Sequence, residues 1–298
     1  MHVPLHNAEP ATPQSATTGA RQRSANDPAK YDYIDALRGY AILLVIIVHV
    51  GAAFPELPWP VKRFTNLGWY GVQLFFVVSS LTLAMSWHAR NESLRTAKFM
   101  IRRFFRIAPM YYAATAYYLI VRPPGDAFSP AQIIASTLFV HGWSPGVLPT
   151  TDDGWTVVPG SWSVAAEFGF YFLLPLLVTL ASSLGRAAVA LVASLVLAYI
   201  ANQIAFDIYI DTYGFKATDQ FLFFWLPNQL PVFLLGIGLY HVLRRADAAP
   251  WAVAGHAFWR LHADMILALG ALAILSVPFL MIHACPRRTS RSCPSMCW

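Results

Sequence analysis

Charge is scarce in this chain. Only 12% of its 298 residues are Asp, Glu, Lys or Arg, while 57% are hydrophobic; a soluble domain carries about 25% charged residues. A single buried core does not account for that deficit. Cysteine is absent from the first 284 residues and then appears as Cys285, Cys293 and Cys297, which excludes a disulfide framework for the body of the chain. Residues 1–29 lack the apolar core of a signal peptide; rich in Ala, Pro, Ser, Thr and Gln and without periodicity, they read as a disordered tail. The apolar runs also lack the apolar/polar alternation of a membrane barrel. A net charge of +6 does not argue for nucleic acid, because the basic residues lie mostly between apolar runs, where cytoplasmic loops of membrane proteins collect them.

What is present is a series of apolar runs near or above the roughly 18–20 residues that a helix needs to cross a bilayer. Backbone groups in lipid must be satisfied within each run, so the expected fold is all-α, a polytopic transmembrane bundle. Spans are expected at 36–54, 69–87, 104–121, 161–180, 187–206, 221–243 and 263–283. The run 131–140 is shorter than a crossing and reads as re-entrant or interfacial; counting it gives eight spans instead of seven. Charge favours seven. The 88–103 connection holds Arg90, Arg95, Lys98, Arg102 and Arg103 against Glu92 and belongs inside, with the N-terminus two spans earlier also cytoplasmic. The 207–220 connection, with Asp207, Asp211 and Asp219 against Lys216, then falls outside.

The first span places Arg38 at its cytoplasmic entry and His49 eleven residues on. Eleven steps make about three turns plus 20°, so the two share a face, roughly 16 Å apart along the axis. Asp35 is within ion-pair reach of Arg38. Arg38 also suits a snorkelling, topology-setting role, and His49 a polar cross-link between helices. Ionisable groups within a membrane are nevertheless functional candidates, because leaving them unpaired is costly. Glu167, within GSWSVAAEFGFYFLLP, is expected about 9 Å into its span and His49 about 8 Å into its own. A carboxylate at that depth would orient the imidazole as a general base. In SLRTAKFMIRRFFRIAPMYY, Arg95, Lys98, Arg102 and Arg106 follow helical spacing and form one stripe, with Arg103 just off it. Such a stripe suits phosphate oxygens, or lipid headgroups and topology alone. Pro109 is expected at the start of a helical segment, ending the stripe at the membrane entry.

Four blocks in this order, DALRGYAILLVIIVH, GVQLFFVVSSLTL, FMIRRFFRIAPMYY and VPGSWSVAAEFGFYFLLP, resemble the acyltransferase-3 family of membrane-bound bacterial O-acyltransferases. A fifth, LPNQLPVFLLGIGLY, resembles one subgroup, and together they cover residues 35–240. The resemblance implies transfer of an acyl group, acetyl first among candidates, from cytoplasmic acyl-CoA to a hydroxyl of a carbohydrate, as in modification of envelope polysaccharide or lipopolysaccharide. It implies a multi-pass protein of the bacterial inner membrane, with lipids, an acyl-CoA co-substrate and a carbohydrate or lipid-linked glycan as partners, and with no bound cofactor, metal or nucleic acid. His49 is then the essential histidine with Arg38 its partner and Glu167 the family glutamate. The basic motif, Arg102, Arg103 and Arg106 with Lys98 and Arg95, is assigned to acyl-CoA.

Two departures stand out. Ser79-Ser80 replaces the Ser-Gly of many relatives, a change small enough to keep close helix packing. The family usually has about ten spans, so seven followed by CPRRTSRSCPSMCW suggests C-terminal truncation or a frameshift, and an inactive product is one reading. The expected organisation is a tail at 1–29, an acyltransferase-3-like domain at 30–284 and an atypical tail at 285–298. The competing function is a transporter of a sugar or organic acid, with His49 and Glu167 as a proton relay.

Overall fold

The computed structural model describes residues 32–54, 56–123, 129–147 and 157–247. Both chain termini, and with them the expected span 263–283 and the cysteine-bearing tail, lie outside the described residues. Among the described residues all regular structure is helical and no strand occurs. The elements are α1 (Asp32–Ala53), α2 (Trp59–Asn66), α3 (Tyr70–Ala89), α4 (Arg95–Val121), α5 (Pro130–Thr137), α6 (Trp162–Leu180), α7 (Leu184–Phe224) and α8 (Leu226–Asp247). Short 3-10 turns precede α3 (Leu67–Trp69) and follow α5 (His141–Trp143).

Four segments are long and apolar enough to cross a membrane: Ile34–Ala53, Trp59–Ala89, Trp162–Leu180 and Leu184–Arg245. The described residues therefore give four candidate segments rather than the expected seven spans. Two differences account for most of this. The last segment runs 62 residues, about three times one crossing, and merges two expected spans because the acidic 207–220 stretch is helical instead of a loop. Its chain turns at Gly214, whose φ of 76° suits a residue without a Cβ, and again at Trp225, which ends α7 in an extended conformation. Secondly, α4 is a helix over the expected 104–121, but Tyr111, Tyr112, Tyr117, Tyr118 and Arg106 dilute its hydropathy. Pro109 lies inside α4 and not at its start, where it removes one backbone bond. α5 has 8 residues, about 12 Å, too short to cross.

The core lies between α3, α6 and α8. Phe233 on α8 stacks on Phe170 of α6 at 4.0 Å and on Phe76 of α3 at 4.5 Å. α3 and α8 run the same way, since Phe76 meets Phe233 at one end and His88 stacks on Tyr240 at the other. They approach closely at Gly236, where a Cβ would strike Ser80 and the Val77 carbonyl. The second serine of the Ser79-Ser80 pair is thus matched by a glycine on the facing helix. α1 runs opposite to α3, with Gly68 against Leu44 and Val48, and Gly71 against Ala41, Leu44 and Val45.

Candidate active site

The helix directions define two ends. At one lie His49, Gly160 and Trp225; at the other lie Arg38, Ala181 and the last turn of α8. His49 is exposed on α1. Its Nδ1 stands 2.7 Å from the Val45 carbonyl oxygen. A carbonyl only accepts, so Nδ1 carries the proton and Nε2 of the neutral ring keeps a free lone pair. A Cβ on Gly160 would lie 3.8 Å from that Nε2, so the backbone just before α6 walls the basic nitrogen.

Glu167 is buried, 8% exposed, and its Oε1 accepts from Ser79 Oγ at 2.8 Å and from Tyr171 Oη at 2.5 Å. No hydrogen bond or ion pair joins it to His49 among the described residues. The expected common depth fails for a geometric reason. The depth count let α1 and α6 end in one plane, but Gly160, immediately before α6, lies beside His49 and not beside Ala53. Glu167, seven residues on, is about 10 Å deeper, and its carboxylate faces Ser79, eight residues beyond Gly71 on α3.

That places Glu167 with the basic groups. Arg103 lies over the Phe99 ring at 5.7 Å and the Tyr171 ring at 5.9 Å, within electrostatic range of Tyr171, Arg106, Glu167 and Arg38. Arg38 bonds Asp35 Oδ1 at 3.2 Å through Nη1 and Thr82 Oγ1 at 2.8 Å through Nη2. Thr82 in turn donates to the Ser79 carbonyl at 2.9 Å. One polar network therefore links Arg38, Thr82, Ser79, Glu167, Tyr171 and Arg103 across α1, α3, α6 and α4.

The stripe is divided by this packing. Arg95 folds back over Trp87, 4.2 Å from its ring, and bonds the Trp87 and Arg90 carbonyls at 3.3 Å. Arg102 donates to Glu92 at 2.6 Å, and Lys98 stands 4.0 Å from the same carboxylate. The hydrogen bond from Arg102 holds the Glu92 carboxyl below its ordinary pKa, so it stays ionised at neutral pH. Arg90, Arg95 and Arg102 with Ser86, Trp87 and Phe99 line a shallow recess at this end. Among the described residues no cluster of three His, Cys, Asp or Glu could hold a metal ion.

One buried residue has no signal in the sequence. His141, 0% exposed, meets the Ser161 carbonyl with Nε2 at 3.0 Å and so fixes the turn that carries Gly160 to His49. Burial pushes its pKa below the ordinary value, opposed by bonds to the Ser161 and Ala135 backbone. A lone histidine after a short apolar stretch offers no spacing by which to recognise it. Of the tryptophans outside the long helices or at their starts, Trp59 and Trp143 are exposed, whereas Trp162 packs at 6.1 Å from Phe76 and 4.5 Å from Phe224. Trp155 lies outside the described residues.

The profile of the family described as an acyltransferase domain, Acyl_transf_3, matches residues 31–290. The chain is 30% identical over 154 residues to Acyltransferase MdmB of Streptomyces mycarofaciens, covering 48% of this chain and 38% of that protein. It is 27% identical over 156 residues to O-acetyltransferase OatA of Staphylococcus aureus (strain NCTC 8325 / PS 47), covering 49% and 24%. To Peptidoglycan O-acetyltransferase OatA of Listeria monocytogenes it is 30% identical over 161 residues, covering 48% and 23%. The chain thus matches less than half the length of each of these relatives. No solved structure matches.

Proposed function

The chain belongs to the Acyl_transf_3 family of acyltransferase domains, and from that premise we propose that it is an integral membrane O-acyltransferase. It moves an acyl group, acetyl in the first instance, from cytoplasmic acyl-CoA to a carbohydrate hydroxyl of the cell envelope. The observation that carries this reading is the state of His49: Nδ1–H is held by the Val45 carbonyl and Nε2 is left as a base at one end, while the cationic network gathers at the other.

The cationic end faces the cytoplasm, with the N-terminus on that side, because Arg90, Arg95, Arg102, Arg244 and Arg245 collect there. Phosphates of the donor dock on Arg102, Arg103 and Arg106, with Lys98 and Arg95 at the rim, through charge-assisted hydrogen bonds. The thioester arm covers the roughly 16 Å of α1 between Arg38 and His49. Nε2 takes the proton of the acceptor hydroxyl, and the oxygen attacks the thioester carbonyl. The C–S bond breaks, and the proton passes from the imidazolium to the departing thiolate. The Val45 carbonyl stabilises the imidazolium through Nδ1–H. Glu167 is a positioning residue in this scheme: through Tyr171 it supplies the negative charge that holds Arg103 between two rings.

The transporter reading rests on a His49–Glu167 relay, and among the described residues no hydrogen bond or ion pair joins that pair. The test is incubation of membranes carrying the chain with labelled acetyl-CoA and envelope glycans. Labelling of the glycan is expected with the native chain and not with His49→Ala. Transfer that survives His49→Ala overturns the mechanism, and sugar flux into vesicles without an acyl donor supports transport instead.

A further inference from the structure

Buried polar atoms without a hydrogen-bond partner concentrate at the His49 end. Among the described residues they include Asn202 Oδ1, Thr218 Oγ1, Trp225 Nε1 and Gln229 Oε1 around the α7–α8 break, and Gln73 Oε1 on α3. Trp162 joins these elements. It contacts Phe224, next to Trp225, and Phe76, one turn beyond Gln73, and it lies two residues after the Gly160 that walls His49. Gln73 and Gln229 share a level, since Phe76 and Phe233, about one turn further on, stack on each other. In a setting without water such orphans cost more than a made bond gains, so native proteins leave few of them without a reason.

The orientation of the amides follows from their fixed partners. Asn228 donates through Nδ2 to the Leu222 carbonyl, which only accepts, so its Oδ1 is left to receive Asn202 Nδ2 at 3.0 Å. Asn202 therefore presents its oxygen. Gln229 donates through Nε2 to the Phe223 carbonyl at 2.7 Å and presents its oxygen likewise. These oxygens require donors, while the Trp225 indole N–H requires an acceptor. A carboxylate or phosphate only accepts and an ammonium only donates, so neither satisfies the set. A hydroxyl does both.

We propose that this cluster is the acceptor subsite, binding neighbouring hydroxyls of a neutral sugar beside His49 and discriminating against anionic glycans. The proposal rests on the acyl-transfer reading above and adds the site and the charge class of the acceptor. Thr218→Val and Trp225→Phe each remove one ligand partner and keep the Asn228 and Gln229 cross-links. Each is expected to raise the acceptor KM about threefold to tenfold, the worth of one neutral hydrogen bond, with the acetyl-CoA KM unchanged. Tetra-N-acetylglucosamine is expected to raise the melting midpoint of the detergent-solubilised native chain, and a tetragalacturonate is not. An unchanged acceptor KM in both variants, or equal stabilisation by the neutral and anionic oligosaccharides, overturns the proposal and leaves the cluster as a water-filled polar core. If neither variant folds, the oligosaccharide comparison on the native chain decides. If the native chain transfers no acetyl label, the acyl-transfer reading fails, and the melting shift still reads the sugar site by itself.

Discussion

Replacing Glu167 by glutamine separates two roles that the sequence alone leaves merged. The carboxylate accepts two hydroxyl hydrogen bonds, at 2.8 Å from Ser79 and 2.5 Å from Tyr171. A hydrogen bond to a charged group contributes about 1.5–3 kcal/mol and a neutral one about 0.5–1.5. Glu167→Gln keeps the shape and removes the charge, so the two bonds together lose about 2–3 kcal/mol, or about 30-fold to 150-fold in an equilibrium constant. Both bonds lie within the protein, so the loss falls on folding stability and reaches donor binding in part, through Arg103 beside Tyr171. Steady-state transfer from acetyl-CoA reads that part directly. The acyl-CoA KM should rise severalfold, with kcat changed less. A large fall in kcat with an unchanged acyl-CoA KM would place Glu167 on His49 and refute the assignment.

Glu92→Gln should lower the acyl-CoA KM about twofold to threefold, because Glu92 occupies Arg102 and Lys98 and competes with phosphate for them; the effect should shrink in high salt. Gly236→Ala forces a Cβ into Ser80 and the Val77 carbonyl, and should cost about 1–3 kcal/mol in thermal unfolding. Ser80→Gly in the same chain should recover only part of this, since the backbone carbonyl remains. His141 has a folded pKa below its unfolded value, so it contributes stability that is present above about pH 6.5 and is lost as pH falls. His141→Gln, which keeps a donor for Ser161, should flatten the loss of melting midpoint between about pH 7 and pH 5.

Properties local to one helix were legible in the sequence. Arg38 and Asp35 pair at helical spacing, α1, α3 and α6 fall within a few residues of their expected bounds, and Arg103 departs from the stripe as its spacing requires. Properties set between helices were not. The axial offset that drops Glu167 about 10 Å below His49 is invisible to depth counted along each helix separately. The acidic 207–220 stretch reads as a loop because charge is the signal for leaving a bilayer, yet helix persists there up to the turn at Gly214. Pro109 reads as a helix start because proline favours that place, but α4 already begins at Arg95, outside the apolar run.

The length of α7 carries one more consequence. From Leu184 to Gly214 it rises about 45 Å, against about 30 Å of hydrocarbon, so some 15 Å of helix projects at the His49 end. Its exposed side carries Asp207 and Asp211, and its tip at Tyr213 is met by Gly146. Asp207 and Asp211 therefore put fixed negative charge on the part of the helix that stands clear of the apolar layer. Anions near that tip meet a repulsion that salt weakens.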